Sequence, residues 1–253
     1  MPQSLPPIVD KEKFKEKFTA IIPAYNEGKT IRDLVNKTAN QISRVVVVND
    51  GSADDTCQQL VDLPIELLSN TSNKGKGYSL WRGFHLALES ELRGVITLDG
   101  DGQHRPEDIP RFLAAYSEFP DHLIIGTRIH DLRSFPPSRR WANQLANLGI
   151  SLAVGSTVPD TQCGFRLYPA SLLRRLQLNS HRYHGFVFES EVIIEAVKLG
   201  FKIHSIPIAA IYGNELRRSH FHPAWDTIQI GKMIVGKIAS KILKSGSKKP
   251  VKK

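Results

Sequence analysis

Short apolar runs recur through the first half of the chain, each followed by a segment of helical length. They are FTAII (18–22), RVVVV (44–48), PIELL (64–68), GVITL (94–98) and HLIIG (122–126). The stretches between them predict helices near 27–40, 54–62, 77–91 and 107–118. Near-continuous apolar strands separated by helices imply βαβ units and a largely parallel sheet of an α/β domain. The second half is less regular, with helices expected at 139–154 and 188–199 and short strands within 201–212. Residues 1–17 lack a core pattern and read as an extension. Residues 18–212 then form the α/β domain, and 213–253 a separate basic region. The polar segment GNELRRSHFH (213–222) reads as a mobile loop, and no internal repeat is visible.

Placing 224–243 on a helix at about 100° per residue puts Ile228, Gly231, Val235, Ile238 and Ile242 on one stripe. Lys237, Lys241 and Lys244 fall opposite, with Lys232 near the apolar edge. Such a C-terminal amphipathic helix, followed by SGSKKPVKK, is expected to lie on an anionic membrane surface through 224–253, or to dock on the domain.

Charge sharpens this picture. Of 253 residues, 34 are Lys or Arg and 25 Asp or Glu, a net +9, yet 237–253 hold seven lysines and no acid. Without them the balance is 27 against 25, so the body is nearly neutral, which argues against a nucleic-acid-binding face. With 41% hydrophobic and 23% charged residues, the composition is that of a globular chain able to bury a core. No apolar run is long enough to suggest a transmembrane helix, and the first twenty residues carry no signal-peptide core. A cytoplasmic protein is therefore expected, with Cys57 and Cys163 reduced. His181, His184, His220 and His222 have no spacing that argues for zinc.

Ligands of open parallel sheets bind beyond the carboxyl ends of the strands. Four polar motifs fall there: PAYNEG (23–28), NDGSADD (49–55), NKGKG (73–77) and DGDGQH (99–104). Asp99 and Asp101 can point at one hard cation, and Gln103 can add a neutral oxygen. Mg²⁺ or Mn²⁺ held by so few protein ligands keeps positions open for phosphates. A turn with solvated aspartates is the simpler alternative, and the remaining positions of a calcium loop are missing. NKGKG lacks Walker A spacing. Its glycines still allow backbone amides and Lys74 or Lys76 to approach a phosphate, although alone it reads as a flexible turn.

In order, PAYNE, NDGS, NKGKG, DGDGQH with PEDIP, GTR and DTQCGFRLY resemble the inverting family-2 glycosyltransferases of GT-A fold, a Rossmann-like, mostly parallel sheet flanked by helices. Within them the chain is most similar to polyprenyl-phosphate hexose synthases of the dolichyl-phosphate-mannose and -glucose type, over about residues 18–230. The resemblance implies a nucleoside-diphosphate sugar as donor, a lipid acceptor and a peripheral site at the inner face of a membrane. Pro23, Tyr25 and Glu27 would line the nucleotide pocket, with Asp50 beside the base and Lys76 near the donor phosphates. Asp99, Asp101 and Gln103 would hold the divalent metal. Arg128, Arg217, Arg218 and Ser219 would meet donor or acceptor phosphates. In the synthases an Arg followed four residues later by Ser grips the lipid phosphate; here Arg139 is followed by Asn143. Asn49 stands where the family commonly has an acid.

Losing a nucleoside diphosphate builds negative charge on the leaving group, which a metal and arginines neutralise. A lipid phosphate acceptor is already anionic and needs no base. A hydroxyl acceptor does, and Asp160 is the candidate, with anchoring of its loop as the alternative role. Glu189 and Glu191 read as acids at a helix start, placed there by the dipole. Two other classes remain. A sugar nucleotidyltransferase would carry a glycine-rich phosphate loop after the first strand, which PAYNEG does not resemble. A non-catalytic membrane- or nucleic-acid-binding module would use the basic tail alone. The base, the hexose and the oligomeric state stay open.

Overall fold

The computed structural model describes residues 15–128, 137–176, 187–209 and 211, with the backbone alone at 137–140, 142 and 187. Among the described residues seven strands form one mixed sheet: β1 (Phe18–Ala24), β2 (Arg44–Asn49), β3 (Glu66–Ser69), β4 (Gly94–Thr97), β5 (His122–Thr127), β6 (Arg166–Pro169) and β7 (Lys202–Pro207). Their order is β3-β2-β1-β4-β6-β5-β7. Every residue of β1 is buried, and β2 is buried beyond its first residue, as strands covered on both faces require. The flanking helices are α1 (Ile31–Ala39), α2 (Thr56–Gln59), α3 (Lys76–Leu88), α4 (Ile109–Glu118), α5 (Pro137–Val154), α6 (Ala170–Arg175) and α7 (Val187–Lys198). α1 buries Ile31, Leu34, Val35 and Thr38, the spacing of one helical face.

Adjacent pairs are parallel except β4–β6 and β5–β6, which are antiparallel. β6 and α6 were not expected, and α2 is shorter than its predicted span. β6 is only four residues long and opens with an arginine, so no periodicity marks it. Arg166 is nonetheless fully buried. Its Nε donates to the Cys163 carbonyl (2.7 Å), Nη1 to that of Glu189 (2.9 Å) and Nη2 to that of Thr161 (2.7 Å). Because buried charge is tolerated only when so satisfied, the strand depends on the loop just before it and on Glu189, 23 residues further on.

The reversal of β6 positions the site. Arg166 pairs with Thr97 at the end of β4, so the loop feeding β6 lies at the carboxyl edge of the parallel strands. Among the described residues no helix is long and apolar enough to cross a membrane. The proposed extension up to residue 14, the 213–222 loop, the 224–243 helix and the four histidines considered for zinc lie outside the described residues.

Candidate active site

The loops after β1 and β2 interlock. Asn26, in the left-handed region (φ 54°), accepts the Ala53 amide at Oδ1 (2.8 Å) and donates its own amide to Ser52 Oγ (2.9 Å). The Glu27 amide donates to Thr56 Oγ1 (2.8 Å), and Gly28 to Asp54 Oδ2 (3.1 Å). Asn49 accepts the Ser52 amide (3.0 Å) and donates to Cys57 Sγ (3.0 Å), a neutral brace in place of an acid. Gly51 has φ 72°, and a Cβ there would sit 2.5 Å from the Ser72 carbonyl carbon, so only glycine fits. Pro23 and Glu27 are buried and Tyr25 half-buried at this edge.

Asp50 turns inward. Its Oδ1 accepts Asn70 Nδ2 (2.6 Å) and the Lys74 amide (2.9 Å), and its Oδ2 accepts the Gly75 amide (2.8 Å). The carboxylate thus fixes the NKGKG loop just ahead of α3, where the helix dipole favours it. That loop delivers Lys76, the first residue of α3, into the centre of the site.

There Lys76 Nζ contacts Asp99 Oδ1 directly and lies 3.0 Å from Glu189 Oε1. Neither Glu189 oxygen reaches aligned hydrogen-bond geometry among the described residues, although the residue is 1% exposed. Burial opposes ionisation of Asp99, but Lys76, with His104 and Arg128, holds its carboxyl down at about 2. Burial, then the Asp99 charge, pushes Asp101 up to about 6. Burial likewise raises Glu189. His104 is driven down to about 4 by burial, helped by Arg128 and Lys76 against Asp99. Its neutral ring accepts the Asp99 amide at Nδ1 (3.2 Å), which leaves the proton on Nε2, facing Cys163 Sγ at 3.8 Å. Burial pushes the Cys163 thiol up to about 12, so it is no nucleophile.

Asp101 Oδ1 accepts the Gln103 amide (3.0 Å), closing the tight turn, and Gln103 is buried beside it. Among the described residues no three His, Cys, Asp or Glu side chains cluster to hold a metal. Two carboxylates and an amide oxygen still suit Mg²⁺ or Mn²⁺, which retain water and substrate phosphate as further ligands. Burial and the neighbouring Asp99 charge, which together raise Asp101, are both offset by a divalent cation, so the donor set fits such an ion.

The 158–165 loop meets this cluster from the other side. Thr97 Oγ1 donates to the Gly164 carbonyl (2.6 Å), and a Cβ on Gly164 would lie 2.6 Å from Asp99 Cγ. From α5, Asn147 Nδ2 donates to the Pro159 carbonyl (2.6 Å), while its Oδ1 accepts the Thr161 amide (2.9 Å) and hydroxyl (2.7 Å). Ser151 Oγ accepts the Val158 amide (2.9 Å).

Within that loop Asp160 accepts four donors. Arg128 gives Nε to Oδ2 (2.8 Å), its amide to Oδ2 (3.3 Å) and Nη2 to Oδ1 (3.0 Å), and the Gln162 amide gives a fourth (3.2 Å). A carboxylate has about four lone-pair sites, so none is left for a substrate proton. Burial works against its ionisation, but Arg128 holds it below the usual carboxylate range. Of the two roles read for Asp160, the geometry displays the loop anchor. Asn143 is buried in α5, whereas the side chain of Arg139 and all of Arg217, Arg218 and Ser219 lie outside the described residues.

Glu189 is the residue that sequence reasoning undervalued. It heads α7, as an acid at a helix start should, yet it reaches Lys76. An acid inside the apolar run GFVFE was the available signal.

A mostly parallel sheet with a paired-acid turn at its carboxyl edge defines a GT-A glycosyltransferase. More particularly, the chain belongs to Glycosyl transferase family 2, whose profile matches residues 19–177. It is 32% identical over 216 residues to the UDP-N-acetylglucosamine–dolichyl-phosphate N-acetylglucosaminyltransferase of Methanococcus voltae, covering 76% of this chain and 84% of that protein. It is 28% identical over 201 residues to the undecaprenyl-phosphate mannosyltransferase of Micrococcus luteus, covering 76% and 82%. Its fold is similar to that of glucosyl-3-phosphoglycerate synthase from Mycobacterium tuberculosis, solved with Mn²⁺, UDP and glucosyl-3-phosphoglycerate. The TM-score is 0.68 at 18% identity, over 94% of this chain and 86% of that one.

Proposed function

We propose that this enzyme transfers a hexose from a nucleoside-diphosphate sugar to a polyprenyl phosphate, with inversion and with Mg²⁺ or Mn²⁺. The observation that carries the reading is the saturation of Asp160. The carboxylate named as a base has no free lone pair, which suits an acceptor that brings its own negative charge. The relatives named for dolichyl and undecaprenyl phosphate support the same acceptor class.

In this reading Asp99, Asp101 and Gln103 hold the cation, which when bound neutralises the departing diphosphate. A phosphate oxygen of the acceptor forms the bond to the anomeric carbon as the bond to the diphosphate oxygen breaks, so no proton need be removed. Lys76 keeps Asp99 ionised for its task. Pro23, Tyr25 and Glu27 line the nucleotide side, and Asp50 shapes it by fixing the 73–75 loop. Arg139, Asn143, Arg217, Arg218 and Ser219 meet phosphate. The segment 224–253 attaches to an anionic bilayer at the cytoplasmic face.

The test is incubation with Mg²⁺ or Mn²⁺, a panel of UDP- and GDP-hexoses and polyprenyl phosphate, read by mass spectrometry. An anionic glycolipid that chelation abolishes is expected. Transfer only to neutral polyprenol overturns the acceptor, and pyrophosphate-dependent release of a nucleoside triphosphate overturns the reaction class.

A further inference from the structure

α5 presents an apolar stripe to solvent. Trp141 is 70% exposed, Leu145 59%, Leu148 57% and Leu152 74%, while Asn143, Ala146 and Ile150 on the same helix are buried. At about 100° per residue the four exposed side chains fall within about 60° of one another, along roughly 16 Å of helix. Among the described residues the other large exposed apolar side chains, Val61, Leu67 and Ile211, lie on other segments. Single exposed apolar side chains need no explanation, but a tryptophan and three leucines in line on one helix form a patch of the kind that marks an interaction surface.

We propose that this outer face of α5 is a bilayer-contact surface that seats the catalytic loop at an anionic membrane. The proposal rests on the lipid-acceptor reading above. Three observations select a lipid surface over another occupant. The helix contains no acid and carries Arg139 and Arg140 immediately before Trp141, the order of basic and aromatic residues suited to an anionic headgroup layer. Four residues in a narrow line fall far short of the roughly 20–30 residues a side that a stable protein interface uses. Asn147 and Ser151, half-buried on the flank of the helix beside the stripe, hold the Asp160 loop, so whatever α5 touches sits next to the site. A helix lying in the interfacial plane with Trp141, Leu145, Leu148 and Leu152 at the acyl boundary meets all three conditions.

The experiment uses the full chain and vesicles of equal parts phosphatidylcholine and phosphatidylglycerol. Replacing Trp81 and Trp225 by Phe leaves Trp141 as the one tryptophan, and lipids with brominated acyl chains report its depth. Quenching of Trp141 is expected. The triple variant Leu145→Ser, Leu148→Ser, Leu152→Ser should lower the vesicle partition constant at least about tenfold, and Val61→Ser should not. In that variant, transfer to a short, water-soluble isoprenyl phosphate should be unchanged while transfer to vesicle-embedded acceptor falls. Vesicle binding without Trp141 quenching overturns the proposal. So does shielding of Trp141 from acrylamide without vesicles, whether light scattering shows a second copy covering the stripe or a monomer whose own chain covers it. If Trp141 is quenched but no lipid phosphate is glycosylated, the surface stands and the acceptor reading fails.

Discussion

Arg128 forks onto Asp160, with Nε to Oδ2 at 2.8 Å and Nη2 to Oδ1 at 3.0 Å, and both residues are buried. The pair joins the end of β5 to the loop before β6 and so closes that side of the site. Asp160→Asn should therefore destabilise the fold by about 3–5 kcal/mol, because Arg128 stays buried without its counter-charge. Arg128 depresses the Asp160 carboxyl against its burial, so its stabilisation is full above the ordinary value near 3.8 and is lost as pH falls through the lower folded value. Urea unfolding of both proteins should show a gap at neutral pH that narrows below about pH 4. A gap independent of pH would contradict the ion pair. Severe loss of transfer with unchanged stability and donor affinity would revive Asp160 as a base.

Asp101→Ala should lower transfer about a hundredfold or more, because it removes a metal ligand that stabilises the leaving diphosphate. The melting temperature should hold or rise. Burial and Asp99 already oppose the charge of Asp101, so the fold gains nothing from that charge without a cation. Near-normal turnover at saturating donor would remove Asp101 from the metal site.

Glu189→Gln should remove one of the two carboxylates that Lys76 meets, tightening its pair with Asp99 against any cation competing for the same carboxylate. Mn²⁺ affinity, measured by titration in the presence of nucleoside diphosphate, should fall about tenfold, the scale of effects one layer behind the ligands. Glu189→Asp should recover part of it. Altered stability with unchanged Mn²⁺ affinity would make Glu189 purely structural.

Gly164→Ala places a methyl group against the Asp99 carboxylate, which Lys76 already pins. Asp99 must rotate or the loop must shift. Mn²⁺-dependent binding of sugar nucleotide should weaken by about tenfold or more. Unchanged binding, followed by calorimetry, would show that the loop yields freely.

Local patterning determined much of this enzyme. The valine-rich strand at 44–48, the helical spacing at 31–38 and the polar motifs after each parallel strand are read residue by residue, and a parallel sheet then places those motifs on one edge. The paired acids and the family resemblance come from neighbouring residues as well. Tertiary structure decided what depends on partners distant in sequence. Arg166 sits buried in a strand because the remote Glu189 carbonyl accepts from it and β4 pairs beside it at Thr97, and the resulting antiparallel β6 carries the Asp160 loop to the site. Asp160 is an anchor because Arg128 folds onto it, and Glu189 enters the site because Lys76 reaches across from α3. α5 shows the division most clearly. Its sequence predicts a helix, and hydrophobicity alone would bury Trp141 and the three leucines. The structure buries the side with Asn143, Ala146 and Ile150, while Asn147 and Ser151 on the adjoining flank bond the Asp160 loop and fix the rotation of the helix, so the more apolar stripe is left facing outward.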